Sequence, residues 1–384
     1  MKDTTVAERR LLAARMLRVA RRFRASHPLS PPRWAAGSFP LAMNFAGRPD
    51  TKVLAWFPSV GCVWSRSSGC TMCDFSENPN PGSIESAVAA FTNHLDELDA
   101  GTRHVHLGPG GSFFDDREVP PALRQGILQA LRRLRFLHSV GIETRPNLMT
   151  RAKLMDLLSQ LPDGVEHLTI GFGFECLDDL VREVTVNKGY GAREVERAVN
   201  IIADAKITQG RVRVEFEVYV LLKPLFLTEQ EGIDEAVRTI DWSYAHGAET
   251  AALFMNTVKQ NTVQGYLAGR DDLPTPIHYQ PPYYRSAVQV LRTLPRWQRE
   301  RTQVLGVQSG IVAQGMPRGC PLCTPFLLGA LVAHNFTRDP AVLDKAATSV
   351  CPCRNAWLAE LDAPAESLRT RVERGIAALE RSYC

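Results

Sequence analysis

The chain has 384 residues, of which 45% are hydrophobic and 22% charged, and its formal net charge is +4. A chain of this length can bury a large apolar core without disulfide crosslinks, and its composition is that of an ordinary soluble enzyme. No stretch approaches the roughly 20 consecutive apolar residues that a membrane span requires, so a membrane protein is not expected. The slight charge also argues against a general nucleic-acid binder.

Residues 1–50 are predicted to form a basic, helical N-terminal extension. The first 28 residues mix arginines with apolar residues and lack the continuous apolar segment of a secretory signal, which favours a cytoplasmic protein with reduced thiols. The helix could touch an anionic partner, but its apolar stripe favours packing on the body with the arginines in solvent. The stripe consists of Leu11, Leu12, Met16, Leu17 and Val19.

Residues 51–260 alternate β-type runs with helical segments. The runs are "TKVLAWFPS", "RHVHLGP", "LHSVGIET", "EHLTIGFGFE", "VRVEFEVYVLL" and "ETAALFMN". Strands separated by helices predict right-handed βαβ units and a parallel sheet, hence an α/β fold. Taken alone, six such strands fit an open or partial barrel about as well as a doubly wound sheet.

After about residue 257 the alternation ends at the proline-rich segment "LPTPIHYQPPYY". Its tyrosines, Tyr279, Tyr283 and Tyr284, could stack on a base or pack against the sheet. Helical segments and a strand-like "TQVLGVQSG" follow. Residues 261–384 are therefore predicted to form a smaller, α-rich C-terminal extension.

Three cysteines lie in the loop after the first core strand, "GCVWSRSSGCTMCDF", at Cys62, Cys70 and Cys73. The carboxyl edge of the sheet, where this loop lies, is where α/β proteins bind ligands. Three thiolates can hold three corners of a cubane iron–sulfur cluster and leave one iron open, although thiolates also suit zinc. Structural zinc takes four ligands, and the nearest candidates, His104 and His106, fall on the next strand. Three cysteines without a metal are the remaining alternative.

The loop resembles that of the radical S-adenosylmethionine (SAM) superfamily, although the usual spacing there is CxxxCxxC and this chain has CxxxxxxxCxxC. The lengthened loop with its "GCTMC" ending is similar to the Elongator-type branch, and particularly to the radical SAM subunit of archaeosine synthase. Further segments match that branch in order over residues 50–260. The resemblance implies a partial (β/α)6 TIM-like barrel of radical SAM type.

The resemblance also implies the site residues. Its glycine-rich turn, here "GPGGSFFDDREVP", binds the methionine amino group of SAM, while "IETRP" and "GFGFECLDDLVREVTVNKGY" supply further contacts. The matching positions for SAM are Gly108, Gly110, Gly111, Ser112, Glu143, Arg145 and Glu175, and those for the cofactor or substrate wall are Asn187 and Lys188. The implied chemistry is reductive cleavage of SAM to a 5′-deoxyadenosyl radical, which removes hydrogen from carbon.

A second cysteine group lies in the tail, in "RGCPLCTPF" and "TSVCPCRNAW". Its four members, Cys320, Cys323, Cys351 and Cys353, read as one four-ligand site. Structural zinc is the simplest occupant, but beside an iron–sulfur loop an auxiliary [4Fe–4S] cluster is preferred. Cys176 and Cys384 remain without an assigned role.

The predicted function is a radical SAM enzyme that acts on a small, nucleoside-like substrate. Sulfur transfer from the auxiliary cluster ranks ahead of an archaeosine-synthase-like C–N lyase or a dehydrogenase that uses the cluster for electron transfer. A non-catalytic zinc-binding scaffold is the alternative from another class. The expected partners are the small molecule and an electron donor such as flavodoxin or ferredoxin; a nucleic acid is not expected, with tRNA left open.

Overall fold

The computed structural model describes residues 4–28, 36–45, 47–75, 81–208, 210–306 and 315–384. Within these ranges, no helix combines the length and the apolarity that crossing a membrane would require.

Eight strands form one sheet, in which their order follows the chain. They are β1 (Gly37–Phe45), β2 (Arg48–Trp56), β3 (His104–Gly108), β4 (Ser139–Glu143), β5 (His167–Glu175), β6 (Arg213–Leu222), β7 (Thr250–Met255) and β8 (Thr302–Leu305). β1 and β2 are antiparallel, and every later pair is parallel. Because β1 and β8 do not pair, the sheet is a partial barrel. The predicted α/β class, with a partial barrel and an α-rich C-terminal extension, is confirmed.

Fourteen α-helices lie in the described part of the chain. They are α1 (Val6–Ser26), α2 (Trp64–Ser67), α3 (Ile84–Leu95), α4 (Pro121–Ala130), α5 (Arg151–Gln160), α6 (Ala192–Thr208), α7 (Glu229–Ala245), α8 (Val263–Ala268), α9 (Tyr284–Thr293), α10 (Arg296–Arg299), α11 (Thr324–Thr337), α12 (Pro340–Thr348), α13 (Pro352–Leu361) and α14 (Leu368–Tyr383). Short 3₁₀ turns occupy Leu131–Arg133 and Pro146–Leu148, and a π-helical turn occupies Val181–Thr185.

The parallel strands are covered on both faces, which explains their nearly continuous apolar sequences. All five residues of β3 are buried, as are eight of the ten residues of β6. Threonines begin several of the covering helices. The Thr150 side chain accepts a hydrogen bond from the first turn of α5, and Thr228 forms a capping box with Glu231 at the start of α7. These caps satisfy backbone donors that would otherwise lack partners.

The sheet extends beyond the predicted core at both ends. β1 has no counterpart in the prediction, and β8, which the sequence places in the tail, is the eighth strand of the sheet. The last four residues of that predicted strand, 307–310, lie outside the described residues. The sheet therefore crosses both predicted boundaries, at 50/51 and 260/261.

The N-terminal helix α1 packs on the body as predicted, but through a partly different stripe. Leu12, Met16 and Val19 are buried, whereas Leu11 is 63% exposed, so its predicted place in the stripe is wrong. The predicted solvation of the arginines is also incomplete, because Arg15 forms an ion pair with Glu380 of α14.

Helix α11 covers the gap between the two edge strands. The amide side chain of Asn335 bonds both backbone groups of Val304 in β8: its Oδ1 accepts from the nitrogen at 2.8 Å and its Nδ2 donates to the oxygen at 2.7 Å. On the other edge, Asn44 of β1 donates from Nδ2 to the Phe336 oxygen at 2.9 Å. One helix thus satisfies backbone groups at the edge of β8 that a closed barrel would satisfy by pairing, and it also contacts the β1 edge.

These contacts also fix the direction of α11. Asn44 pairs with Pro49 at the start of β2, so the contact with Phe336 places the last turn of α11 at the amino edge of the sheet. The helix has 14 residues and spans about 21 Å. Its first residues, next to Cys323, therefore lie towards the carboxyl edge.

The Asn335→Ala substitution tests this closure. It leaves the backbone N–H and C=O of Val304 without their partners, and Asn335 is fully buried. We expect the free energy of unfolding to fall by roughly 2–4 kcal/mol in urea denaturation. Asn355→Ala, at an exposed position in α13, is the matched control. Equal stability of the two variants would show that the side chain of Asn335 does not hold the edge.

Candidate functional site

The cysteine loop, residues 61–75, follows β2 at the carboxyl edge of the sheet. The segment after β5 holds it in place. Asn187 donates from Nδ2 to Ser68 Oγ at 3.0 Å and to the Gly69 oxygen at 2.7 Å, and the Thr71 nitrogen donates to the Val186 oxygen at 3.0 Å. The backbone beside Cys70 is therefore fixed by the barrel and not by the loop alone.

Cys62, Cys70 and Cys73 are all partly exposed and form no disulfide. Burial raises the pKa of the Cys62 and Cys70 thiols, so both are protonated at neutral pH unless a metal ionises them. Among the described residues, only the four tail cysteines form a tight cluster of three or more potential metal ligands.

The glycine-rich turn after β3 lies against the cysteine loop. Gly110 has φ +67°, a conformation that side chains disfavour. A Cβ on Gly111 would lie 2.2 Å from Glu118 Oε2, so the turn has no room for a side chain there. Buried Glu118 accepts from the Val63 nitrogen at 2.9 Å and from the Ser112 nitrogen. This carboxylate therefore joins the turn to the cysteine loop, and burial raises its pKa to about 7.

Two other predicted residues complete the turn. A Cβ on Gly108 would meet the Trp56 ring at 2.4 Å, so glycine there permits close packing of neighbouring strands. Ser112 Oγ lies 2.9 Å from Thr144 Oγ1 and accepts from the Arg145 nitrogen at 2.9 Å. The loops after β3 and β4 are thereby joined.

The guanidinium of Arg145 lies between two aromatic rings. Its central carbon is 4.8 Å from the Trp64 ring centroid and 5.3 Å from that of Tyr190, and Nη2 donates to the Lys188 oxygen at 3.0 Å. Its Nε is buried without a hydrogen-bond partner in the described structure. A cation held by aromatic faces with a free donor is suited to binding an anionic group.

Glu175 and Lys188 form a buried ion pair of 2.7 Å at the end of β5. Burial by itself would lower the pKa of Lys188, but the Glu175 carboxylate outweighs it and raises that pKa. Glu175 also has a positive φ of 68°, which turns the chain sharply as β5 ends. The pair is close enough to Cys70 to influence the pKa of its thiol.

Glu143 points into the barrel instead. It accepts from the Tyr219 hydroxyl at 3.2 Å and lies 3.4 Å from His106 Nε2. Burial acts to raise the pKa of Glu143, but hydrogen bonds from His106 and Tyr219 lower it overall. Two glycines leave room for these partners of Glu143. A Cβ on Gly141 would lie 2.2 Å from the His106 ring, and a Cβ on Gly171 would lie 2.2 Å from the Tyr219 hydroxyl.

A cavity of about 1350 Å³ opens beside the cysteine loop, between α1 and the loops after β2, β3, β4 and β5. Arginines from four of these segments line it: Arg21, Arg24, Arg66, Arg117 and Arg145. Asp115 is the one carboxylate among the described residues that line this cavity, and it forms an ion pair of 2.6 Å with Arg117. We call this space the arginine cavity. Its charge suits an anionic ligand.

The tail cysteine group is Cys320, Cys323, Cys351 and Cys353, whose four Sγ atoms lie within 4.8 Å of one another. Sγ contacts of 3.4 Å join Cys320 to Cys323, and contacts of 3.1 Å join Cys353 to both Cys323 and Cys351. A tetrahedral ion with bonds of about 2.3 Å would set its sulfurs about 3.8 Å apart. The group could equally hold a cluster if Cys320 and Cys353, which are only half-buried, turn outward.

Several residues of the site escaped the sequence analysis. Glu118, Trp64, Tyr190 and Tyr219 are isolated polar or aromatic residues, and only strand register and loop packing bring them to the site. The tyrosines of the proline-rich segment, Tyr279, Tyr283 and Tyr284, are buried. They pack in the core, which was one of the two possibilities left open.

Comparison with known proteins identifies relatives. The archaeosine synthase subunit beta of Methanosarcina acetivorans is 29% identical over 307 residues, which cover 78% of this chain and 82% of that protein. The archaeosine synthase subunit beta of Thermococcus kodakarensis is 26% identical over 325 residues, covering 82% of this chain and 93% of that protein. No protein-family model matches the chain.

Solved structures show more distant likeness. The radical SAM methyltransferase TsrM from Kitasatospora setae has a TM-score of 0.42 at 13% identity, and the likeness covers 86% of this chain but only 61% of that one. Methylornithine synthase has a TM-score of 0.45 at 13% identity, covering 97% and 96% of the two chains. Such likenesses do not assign chemistry. By sequence, the chain is similar to archaeosine synthase subunit beta over more than three quarters of its length, and its cysteine loop resembles that of the Elongator-type branch of the radical SAM superfamily.

Proposed function

We propose that the chain is a radical SAM enzyme in which Cys62, Cys70 and Cys73 hold a [4Fe–4S] cluster with one iron open to SAM. The observation that carries this proposal is the position of three soft, partly buried ligands at the carboxyl edge of a partial barrel, beside a glycine turn and a large cavity. When bound, this cluster and SAM would supply a 5′-deoxyadenosyl radical.

The residues around the loop would bind and orient SAM. Gly110 and Gly111 permit close approach to the backbone, and the unpartnered Nε of Arg145 would meet the SAM carboxylate. Beside Cys70, Glu175 and Lys188 would offer SAM one carboxylate and one ammonium group. Glu143 faces inward with 31% of its side-chain surface accessible, so it would contact the substrate side of the barrel.

For the substrate, we propose a modified nucleoside within a nucleic acid rather than a free small molecule. Arg117 is paired with Asp115, and the other arginines around the cavity exceed what a neutral nucleoside requires and suit the phosphates beside it. The relatives are named as subunits of an archaeosine synthase, which supports a tRNA substrate and a partner subunit. An electron donor such as flavodoxin or ferredoxin remains part of the proposal.

The proposed reaction is cleavage of a C–N bond, as the resemblance to archaeosine synthase implies. This ranking reverses the expectation from sequence, which placed sulfur transfer first, because the relatives match over more than three quarters of the chain. Sulfur transfer is the second candidate, since the tail cysteine group could hold a cluster that gives up sulfide.

Replacing the three loop cysteines tests the cluster assignment. In the Cys62→Ala, Cys70→Ala, Cys73→Ala variant we expect about four irons per chain on the tail group and no 5′-deoxyadenosine by chromatography after dithionite reduction. Cys384→Ala, at an exposed position, is the control and should retain activity. SAM cleavage by the triple variant would refute the assignment.

Binding of tRNA tests the substrate class. The Arg21→Gln, Arg66→Gln double variant removes two cavity arginines, so the slope of log affinity against log salt should fall by roughly 1.4–1.8. Fluorescence anisotropy with labelled tRNA at several salt concentrations measures this slope. Arg10→Gln, on an exposed part of α1 away from the cavity residues, should leave it unchanged. An identical slope in both variants would exclude the cavity as the phosphate site.

Isotope labelling separates the two reactions. Protein reconstituted with ³⁴S-sulfide is given tRNA from a strain that lacks the gene, and the nucleosides are analysed by mass spectrometry. Cleavage of a C–N bond predicts a product without label and turnover that continues while SAM and reductant last. A labelled product formed about once per chain would instead establish sulfur transfer.

A further inference from the structure

One buried guanidinium contacts the tail cysteine group. Arg285 of α9 is 4% exposed, and its Nη2 donates to Cys351 Sγ at 3.0 Å. The same nitrogen donates to the Ser349 oxygen at 2.9 Å and to its Oγ at 3.1 Å. These contacts hold the guanidinium against a thiol rather than turning it towards solvent.

Arg285 has no carboxylate partner in the described structure. Every ion pair reported there involves other cations, and the neighbouring Arg318 is already paired with Glu229 and Glu360. A buried cation is costly unless an opposite charge compensates it. Among the described residues, the groups beside Arg285 that can become anionic are cysteines of the tail group.

Two helix ends add to this positive field. Cys323 is the N-cap of α11 and Cys351 is the N-cap of α13. Helix N-termini favour negative charge. The Arg285 guanidinium and the two helix N-termini therefore favour added negative charge at the tail group.

We propose that Arg285 is a positioning residue that stabilises the most negative state of the tail group and thereby raises the reduction potential of the cluster bound there. Net charge and hydrogen bonds to sulfur are what tune such clusters. The inference rests on the proposed tail cluster. A raised reduction potential would make this cluster an electron acceptor, whichever donor supplies the electron.

Redox titration of the tail cluster alone tests the proposal. In the variant with alanine at Cys62, Cys70 and Cys73, the tail cluster is titrated with dithionite and followed by electron paramagnetic resonance. Arg285→Gln should shift the midpoint to more negative potential, and Arg285→Lys should retain most of the original value.

Arg292→Gln is the matched control, since Arg292 lies two turns along the same helix and pairs with Asp344 at the surface. It should cause no shift. A midpoint in Arg285→Gln equal to that in Arg292→Gln would overturn the proposal. If the glutamine variant does not fold, Arg285→Lys still tests the proposal, because the lysine ammonium keeps the positive charge and a large negative shift in that variant would contradict it.

A different result is expected if the tail group does not hold an iron–sulfur cluster. If the protein contains zinc and no iron, the tail cluster is refuted, and the role of Arg285 is then read from zinc release to a chelator. Loss of the compensating cation should make release several-fold faster in Arg285→Gln than in Arg292→Gln. Equal release rates would show that Arg285 does not balance the charge of the thiolates.

Discussion

The gap between β1 and β8 is the constraint on which the rest of the molecule depends. A sheet of eight strands that does not close leaves two edges, and α11 bridges them: its Asn335 side chain bonds the backbone of β8, and the Asn44 side chain of β1 bonds the last turn of the helix. Because α11 begins next to Cys323, the helix that closes the barrel also carries part of the tail cysteine group. The same helix therefore closes the barrel and positions part of that group.

The mouth of the barrel is held together in a similar way. Several loops at the carboxyl edge are joined by side chains: Asn187 holds the cysteine loop, and Glu118 joins that loop to the glycine turn. From the N-terminal helix, Arg24 reaches the Cys73 oxygen at 3.4 Å. A radical intermediate demands a site that excludes water and does not rearrange. Side-chain hydrogen bonds between the loops provide this rigidity.

The two cysteine groups have different electrostatic surroundings. Burial raises the pKa of Cys62 and Cys70, so those thiols stay protonated until a metal binds and ionises them. The tail group has a guanidinium and two helix N-termini that favour charge before any metal arrives. Such a difference would separate one cluster that delivers an electron from another that accepts one.

Much of the core was predictable from sequence because parallel strands buried on both faces have distinctive apolar runs. β2 to β7 and the cysteine loop after β2 followed from that pattern. β1 was missed because its nine residues include Pro40, which is unfavourable inside a strand away from a sheet edge. β8 has only four residues and was read as part of the tail.

Side-chain partnerships were less predictable. Glu118 and Tyr219 carry no motif, and they meet Ser112 and Glu143 only because strand register brings distant residues together. The arginine cavity combines residues from α1 and four loops, so neither net charge nor local charge density revealed it. Contacts of this kind depend on the assembled fold.

Metal analysis of the anaerobically purified protein, with electron paramagnetic resonance before and after SAM is added, tests the central claim most directly. The account predicts iron and acid-labile sulfide in equal amounts, at about eight of each per chain, and a reduced spectrum that changes on addition of SAM because SAM binds the open iron. Zinc without iron, or an iron signal that SAM leaves unchanged, would contradict it.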